Sequence, residues 1–148
     1  MAETFALSLA AFAQKAPDQA RTVVRKVAGD ALTRLVRRTP VGNPSLWRSK
    51  PPKGYVGGRL RANWTASQGV PNLTVTLTRD RSGQTTISRG LAVIQAADGE
   101  HSIYLMNSLP YVREIEYEGH SAQAPAGMVR ITVTEFQTMV DAAVRSLK

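Results

Sequence analysis

The 148-residue chain contains no cysteine. Disulfides, thiol nucleophiles and cysteine-based metal sites are thereby excluded, and an intracellular folding compartment fits. Only two histidines occur, His101 and His120, too far apart in sequence to read as a ligand pair. No apolar run approaches the ~18 residues of a membrane span. The N-terminal stretch carries acidic Glu3 and is interrupted by Ser8 and Gln14, so it lacks the basic start of a secretory signal. A soluble protein with no membrane partner is expected.

Chemistry-bearing motifs are also missing. Gly54, Gly57 and Gly58 beside Arg59 lack the Gly-x-x-x-x-Gly-Lys-Ser/Thr spacing of a phosphate loop, and a strand pattern follows them. No serine sits in a Gly-x-Ser-x-Gly elbow. Glu114, Glu116 and Glu118, with His120 two residues on, alternate along what reads as an extended segment. Such a row can hold a hard cation or serve acid–base chemistry, but alternating charges also blunt an exposed sheet edge, and that reading is preferred. No catalytic residue, cofactor or metal is expected.

Acidic residues are scarce beside basic ones, 11 against 19, for a net charge of +8. The imbalance is confined to one half: residues 1–64 carry twelve Lys/Arg against three acids, and the remainder seven against eight. A basic half suits a polyanion or an acidic protein surface, and equally a solvated helix face. On the first reading Arg21, Arg25, Lys26, Arg37, Arg38, Lys50 and Lys53 are the candidates to face DNA.

What is present describes one domain, residues 1–148, with 43% apolar residues. Phe5, Leu7, Leu9 and Phe12 predict helical turns laid on the core. Pro17 and Asp18 then open a helix over Pro17–Arg38, whose Ala20, Val23, Val24, Val27, Ala28, Ala31, Leu32, Leu35 and Val36 repeat at three and four. Asp30 and Arg34 stand one turn apart, ready to pair, and Gly29 suggests that another element packs closely there. Leu60–Ala66 and Leu73–Thr78 alternate as two strands of a hairpin. Ser88–Ala97 suits a helix, Ile103–Met106 a third strand and Tyr111–Tyr117 a fourth extended segment. Gly119–Gly127 is irregular, and from Met128 the spacing is helical to the end. The fold class is α+β: a small, mostly antiparallel sheet with a long N-terminal and a C-terminal helix packed on it.

Between the first helix and the first strand, Thr39–Trp64 holds four of the chain's eight prolines. An extended loop at residues 43–57 follows from their fixed φ and missing donors. Within it Leu46, Trp47, Arg48, Tyr55 and Val56 interleave apolar and cationic groups. Single-stranded nucleic acid is bound by such surfaces, but interface hot spots share the composition, and the stiffness conferred by proline favours a protein-contact arm.

Thr39-Pro40-Val41-Gly42 followed by Gly58-Arg59-Leu60-Arg61-Ala62-Asn63-Trp64 resembles the signature of the tailed-phage neck, or tail-completion, family. Asn107-Ser108-Leu109-Pro110-Tyr111 and the run from Glu116 through Gly127 to Val129 match its further pattern, so the likeness spans nearly the whole chain. Shorter relatives pass almost directly from the Thr-Pro-Val turn to the Gly-x-x-Arg segment, whereas here Asn43–Gly57 is inserted. The resemblance implies a structural virion protein, made in the host cytoplasm, that completes or caps the tail tube and joins it to the head connector. It implies a homo-oligomeric ring of six subunits with DNA in its lumen, contacting the tail tube protein and a head-side connector protein. The competing expectation is a sequence-nonspecific nucleic-acid-binding protein using the basic half.

Overall fold

The computed structural model describes residues 16–147. The apolar segment Phe5–Phe12 lies outside them. The long helix, α1, spans Pro17–Arg38 with proline in its first turn and Arg37 and Arg38 in its last. It lies at the centre of the packing because two of its faces are apolar. Leu32, Leu35 and Val36 join the main core with Leu60, Trp64, Ile87, Ile94, Leu109 and Met128. Val23, Val27 and Ala31 meet Met139 and Ala143 on the other side.

After a single 3-10 turn at Pro44–Leu46 come a short helix α2 (Arg59–Ala62) and strand β1 (Trp64–Gln68). Helix α3 (Gln84–Gln95), strand β2 (Ile103–Asn107) and helices α4 (Val112–Tyr117), α5 (Val129–Thr134) and α6 (Phe136–Arg145) complete the order. β1 and β2 pair antiparallel, Trp64 opposite Asn107 through Gln68 opposite Ile103. The class is α+β, as the periodicities indicate. No helix among the described residues is long and apolar enough to cross a membrane.

Four segments differ from the sequence reading. Leu60 and Ala62 are buried as expected of a strand, yet they sit in α2. Gly58, at φ +105°, turns the chain so that its carbonyl accepts from Ala62 N–H at 3.0 Å and starts a helical turn. The Leu73–Thr78 strand does not form. The carbonyls of Ala62 and Trp64, which a hairpin partner would engage, accept instead from Arg89 Nη2 at 3.0 Å each. Tyr111–Tyr117 is helical rather than extended, because Tyr111, Val112 and Ile115 all reach the core and only a helical turn brings them to one side. The C-terminal helix also breaks at Glu135, whose carboxylate receives Arg34 at 2.5 Å and Arg38 at 2.6 Å. Arg34 therefore reaches across the fold instead of pairing with Asp30.

Two glycines set the closest helix crossing. A Cβ at Gly29 would meet Leu91 Cδ2 at 3.0 Å, and one at Gly90 would meet Leu32 Cδ2 at 2.3 Å. Gly→Ala inside a helix ordinarily stabilises by about 1 kcal/mol. At Gly90 the sign reverses, because Leu32 is fully buried and cannot yield. Gly90→Ala is expected to lower stability by about 1–3 kcal/mol in thermal or urea unfolding.

Candidate functional site

The C-terminus of α1 leaves carbonyls without helical partners. Thr39 covers the first of them: its Oγ1 donates to Leu35 O at 2.6 Å, and its N–H to Leu35 O at 3.1 Å and Val36 O at 3.3 Å. The same hydroxyl accepts from Trp64 Nε1 at 2.7 Å, so a buried indole keeps its hydrogen bond inside the core. Arg61 reaches the next, with Nη2 donating to Arg37 O at 3.2 Å and to Thr39 O at 2.8 Å, and Nη1 to Arg81 O at 2.5 Å. Burial lowers the Arg61 pKa below its ordinary value, against the raising effect of Asp80. Asn63, fully buried, donates to Arg59 O at 2.7 Å and clasps both main-chain groups of Thr76. Thr39, Arg61, Asn63 and Trp64 thus form one polar frame around the end of the long helix.

The 43–57 loop grows from this frame. Its ends touch: a Cβ at Gly57 would lie 2.4 Å from Gly42 O, and one at Gly42 would lie 1.9 Å from the Tyr55 hydroxyl. A Cβ at Gly57 would collide with main chain, and one at Gly42 would have to displace the Tyr55 ring. The stretch between them is an Ω-type loop closed on itself. Inside it Trp47 and Tyr55 meet edge to face, with centroids 4.6 Å apart. Pairing with each other does not bury them: Trp47 remains 38% and Tyr55 36% exposed, beside Leu46 at 67% and Val56 at 46%. No residue from Asn43 to Val56 is buried. The main core therefore closes without the loop.

An open cleft of about 610 Å³ runs between the loop and the 111–123 region. Leu46, Trp47 and Tyr55 form one wall, with Tyr111, Ile115 and Gln123 opposite. Gln123 bridges the base by accepting from Val41 N–H at 3.2 Å and donating to Val41 O at 3.0 Å. This opposite wall was not legible in the sequence, since nothing local ties residues 111–123 to residue 41.

The glutamate row has another fate. Glu114 and Glu118 are exposed, whereas Glu116 is buried and points the other way from them. Its carboxylate accepts from the main-chain N–H groups of Met128 at 2.6 Å, Val129 at 2.9 Å and Arg130 at 2.9 Å. It is the N-terminal cap of α5, supplied from α4, and Gly127 at φ +79° makes room for it. Among the described residues no group of three or more His, Asp or Glu is arranged to hold a metal.

Several candidate DNA-facing cations are engaged within the fold. Arg21 and Arg25 donate to Asp98 O and Ala97 O, each at 2.9 Å through Nε, where α3 ends. Arg38 binds Glu135 and, at 3.0 Å, Thr132 Oγ1. Lys26, Arg37, Arg48, Lys50 and Lys53 are exposed and form no ion pair among the described residues.

Burial alone would raise the Glu116 pKa, but the three N–H donors and Arg130 hold it below its ordinary value. The linkage sign follows: this contribution is complete above the unfolded-state pKa and is lost as pH falls through the folded one. Glu116→Gln is expected to cost about 1.5–3 kcal/mol at neutral pH in urea unfolding. The gap to wild type should close as pH drops below the ordinary carboxylate range, and a gap independent of pH would show that the charge is not what caps α5.

Comparison with protein-family models, with curated proteins and with solved structures found no match to this chain.

Proposed function

We propose that the chain is a structural component of the neck of a tailed phage, assembling as a homo-oligomeric ring, a hexamer in the family pattern, that completes the tail tube and joins it to the head connector.

 

The observation that carries this reading is how the segments behind the resemblance interlock. Thr39 is tied to Arg61 and Trp64. Asn107 Nδ2 donates to Leu60 O at 2.8 Å. Val41 and Gln123 bond reciprocally, and Glu116 caps the helix that begins beyond Gly127. The matching residues are therefore those that build the frame, and the inserted 43–57 loop projects from it with its apolar groups uncovered. Trp47 and Tyr55 anchor contact with a neighbouring subunit or the adjoining ring. Prolines 44, 51 and 52 lower the entropy lost when the loop docks. No enzymatic role is assigned. The tail tube protein, the head-side connector and DNA in the lumen are the partners this reading names.

The direct test is a phage lacking this protein, in which filled heads and finished tails should accumulate unjoined. Normal joined particles would overturn the reading. A second reading, sequence-nonspecific nucleic-acid binding, draws on the exposed Lys26, Arg37, Arg48, Lys50 and Lys53. It requires affinity in the isolated monomer that falls steeply with salt, whereas the neck reading expects none.

The pinched neck of the loop supplies a further test. Replacing residues 43–57 with a short glycine-containing turn should leave unfolding cooperative, with stability changed by no more than about 1 kcal/mol. Ring assembly or tail joining should be lost. A deletion that assembled normally, or that unfolded the subunit, would remove the contact role from the loop.

A further inference from the structure

In an extended segment the N–H and C=O of one residue point to one side and those of its neighbours to the other. Thr76 fixes the sides for the peptide groups that join it to Val75 and Leu77. Its N–H donates to Asn63 Oδ1 at 2.8 Å and its carbonyl accepts from Asn63 Nδ2 at 3.0 Å. Because the peptides are trans, the Val75 C=O and the Leu77 N–H point away from Asn63, and among the described residues the main chain of Val75 and Leu77 makes no hydrogen bond. Thr78 N–H is held by Thr76 Oγ1 at 2.7 Å, a turn bond that opens when Leu77 pairs. The side chains are uncovered as well, with Leu73 63%, Val75 42% and Leu77 73% exposed. No residue from Gly69 to Thr78 is charged, and Leu or Val alternates with Thr from residue 73 to 78. An apolar, uncharged edge with unpaired main chain is a template for strand addition.

A second edge lies on β2. Gly69 N–H donates to Ser102 O at 2.8 Å, which sets the phase of the β1–β2 ladder. Tyr104 and Met106 direct their main chain to β1, and Ile103 and Leu105 direct theirs outward. The sheet has two strands among the described residues, so this edge has no strand beside it.

We infer that these two edges pair between copies of this chain: Leu73–Thr78 of one copy adds antiparallel to the outer edge of β2 in the next, with Val75 opposite Leu105 and Leu77 opposite Ile103. Charge selects both the partner and the direction. Exposed Arg79 and Arg81 follow the first edge, and exposed Asp98 and Glu100 precede the second. Antiparallel pairing brings these groups together, and parallel pairing separates them. Pairing of Leu73–Thr78 with its own copy about a two-fold axis would set the arginines against uncharged Gly69–Asn72. The two edges are different surfaces, so the contact is head to tail and can close into a ring. It deepens the ring reading above and rests on it for the identity of the partner.

The absence of cysteine gives a clean background for the test. In this register Thr74 faces Met106 at a non-hydrogen-bonded pair, where Cα atoms approach about 4.5 Å and a disulfide can form. Under oxidation the double variant Thr74→Cys/Met106→Cys should give a ladder of linked copies on a non-reducing gel. Neither single variant should. Glu100→Arg should weaken assembly in native mass spectrometry, and adding Arg81→Glu to the same chain should restore it. Three outcomes overturn the pairing. Wild type could assemble while the double variant fails to link, which leaves the ring reading standing. Thr74→Cys alone could link into dimers, which would mean that the segment pairs with itself. A wild type that stayed monomeric would remove the contact between copies, and the head–tail joining assay would still judge the neck reading separately.

Discussion

The frame depends on how the last carbonyls of α1 find donors. A helix of 22 residues that ends against the core leaves its last carbonyls without helical partners, and Leu35 and Val36 are buried there. Proline at position 40 stops the helix but offers no hydrogen, so the donors come from elsewhere in the chain. Thr39 turns its hydroxyl back onto Leu35, and Trp64 completes that hydroxyl. Arg61 spreads one guanidinium over carbonyls of residues 37, 39 and 81. A guanidinium suits this task because its planar fork presents several donors in fixed directions. The Arg-Leu-Arg-Ala-Asn-Trp stretch is thereby accounted for residue by residue: Arg59 and Asn63 hold residue 76, Leu60 and Ala62 fill the core, and Arg61 and Trp64 secure the helix end.

This frame also explains what could be read in the sequence and what could not. Helix α1 was legible in full, because a stripe of apolar residues at three and four over 22 positions leaves little choice. Trp64 was legible as core, and α3 and the C-terminal helical region were placed by the same periodicity. Leu60–Trp64 misled because a short helix and a strand bury nearly the same residues over so few positions. Leu73–Thr78 has genuine strand propensity, but the decision was made at a distance by Arg89, whose guanidinium occupies the carbonyls that the hairpin needed. Glu116 misled for a related reason. Its alternation with Glu114 and Glu118 matches a strand, while its partner lies twelve residues downstream at Met128.

At the candidate site, composition pointed to the loop and geometry added what composition could not. Proline density, Trp47 and Tyr55 mark residues 43–57 as something more ordered than a linker. That the loop is pinched at Gly42 and Gly57, and that its aromatics meet each other rather than the core, are tertiary facts. The facing wall, from Tyr111 to Gln123, belongs to a different part of the chain and carries no local signal.

Net charge is the property most easily misread in this protein. A surplus of eight positive charges invites a polyanion, yet much of the arginine is spent on neutral carbonyl groups. Arg21, Arg25, Arg59, Arg61, Arg79 and Arg89 each donate to main-chain oxygen. A carbonyl accepts a hydrogen bond without cancelling charge, so such contacts raise the net charge while serving the fold. Among the described residues of the basic half, the cations that remain exposed lie on one outer face of α1, at Lys26 and Arg37, and along the loop at Arg48, Lys50 and Lys53. Three of those five sit among the apolar groups argued to form the contact arm. Their field extends over a Debye length of about 8 Å at physiological salt, which suffices to steer an acidic protein surface toward the loop. The basic half and the projecting loop therefore need not be two functions, because the arm carries three of the five cations that the described part of the basic half leaves exposed.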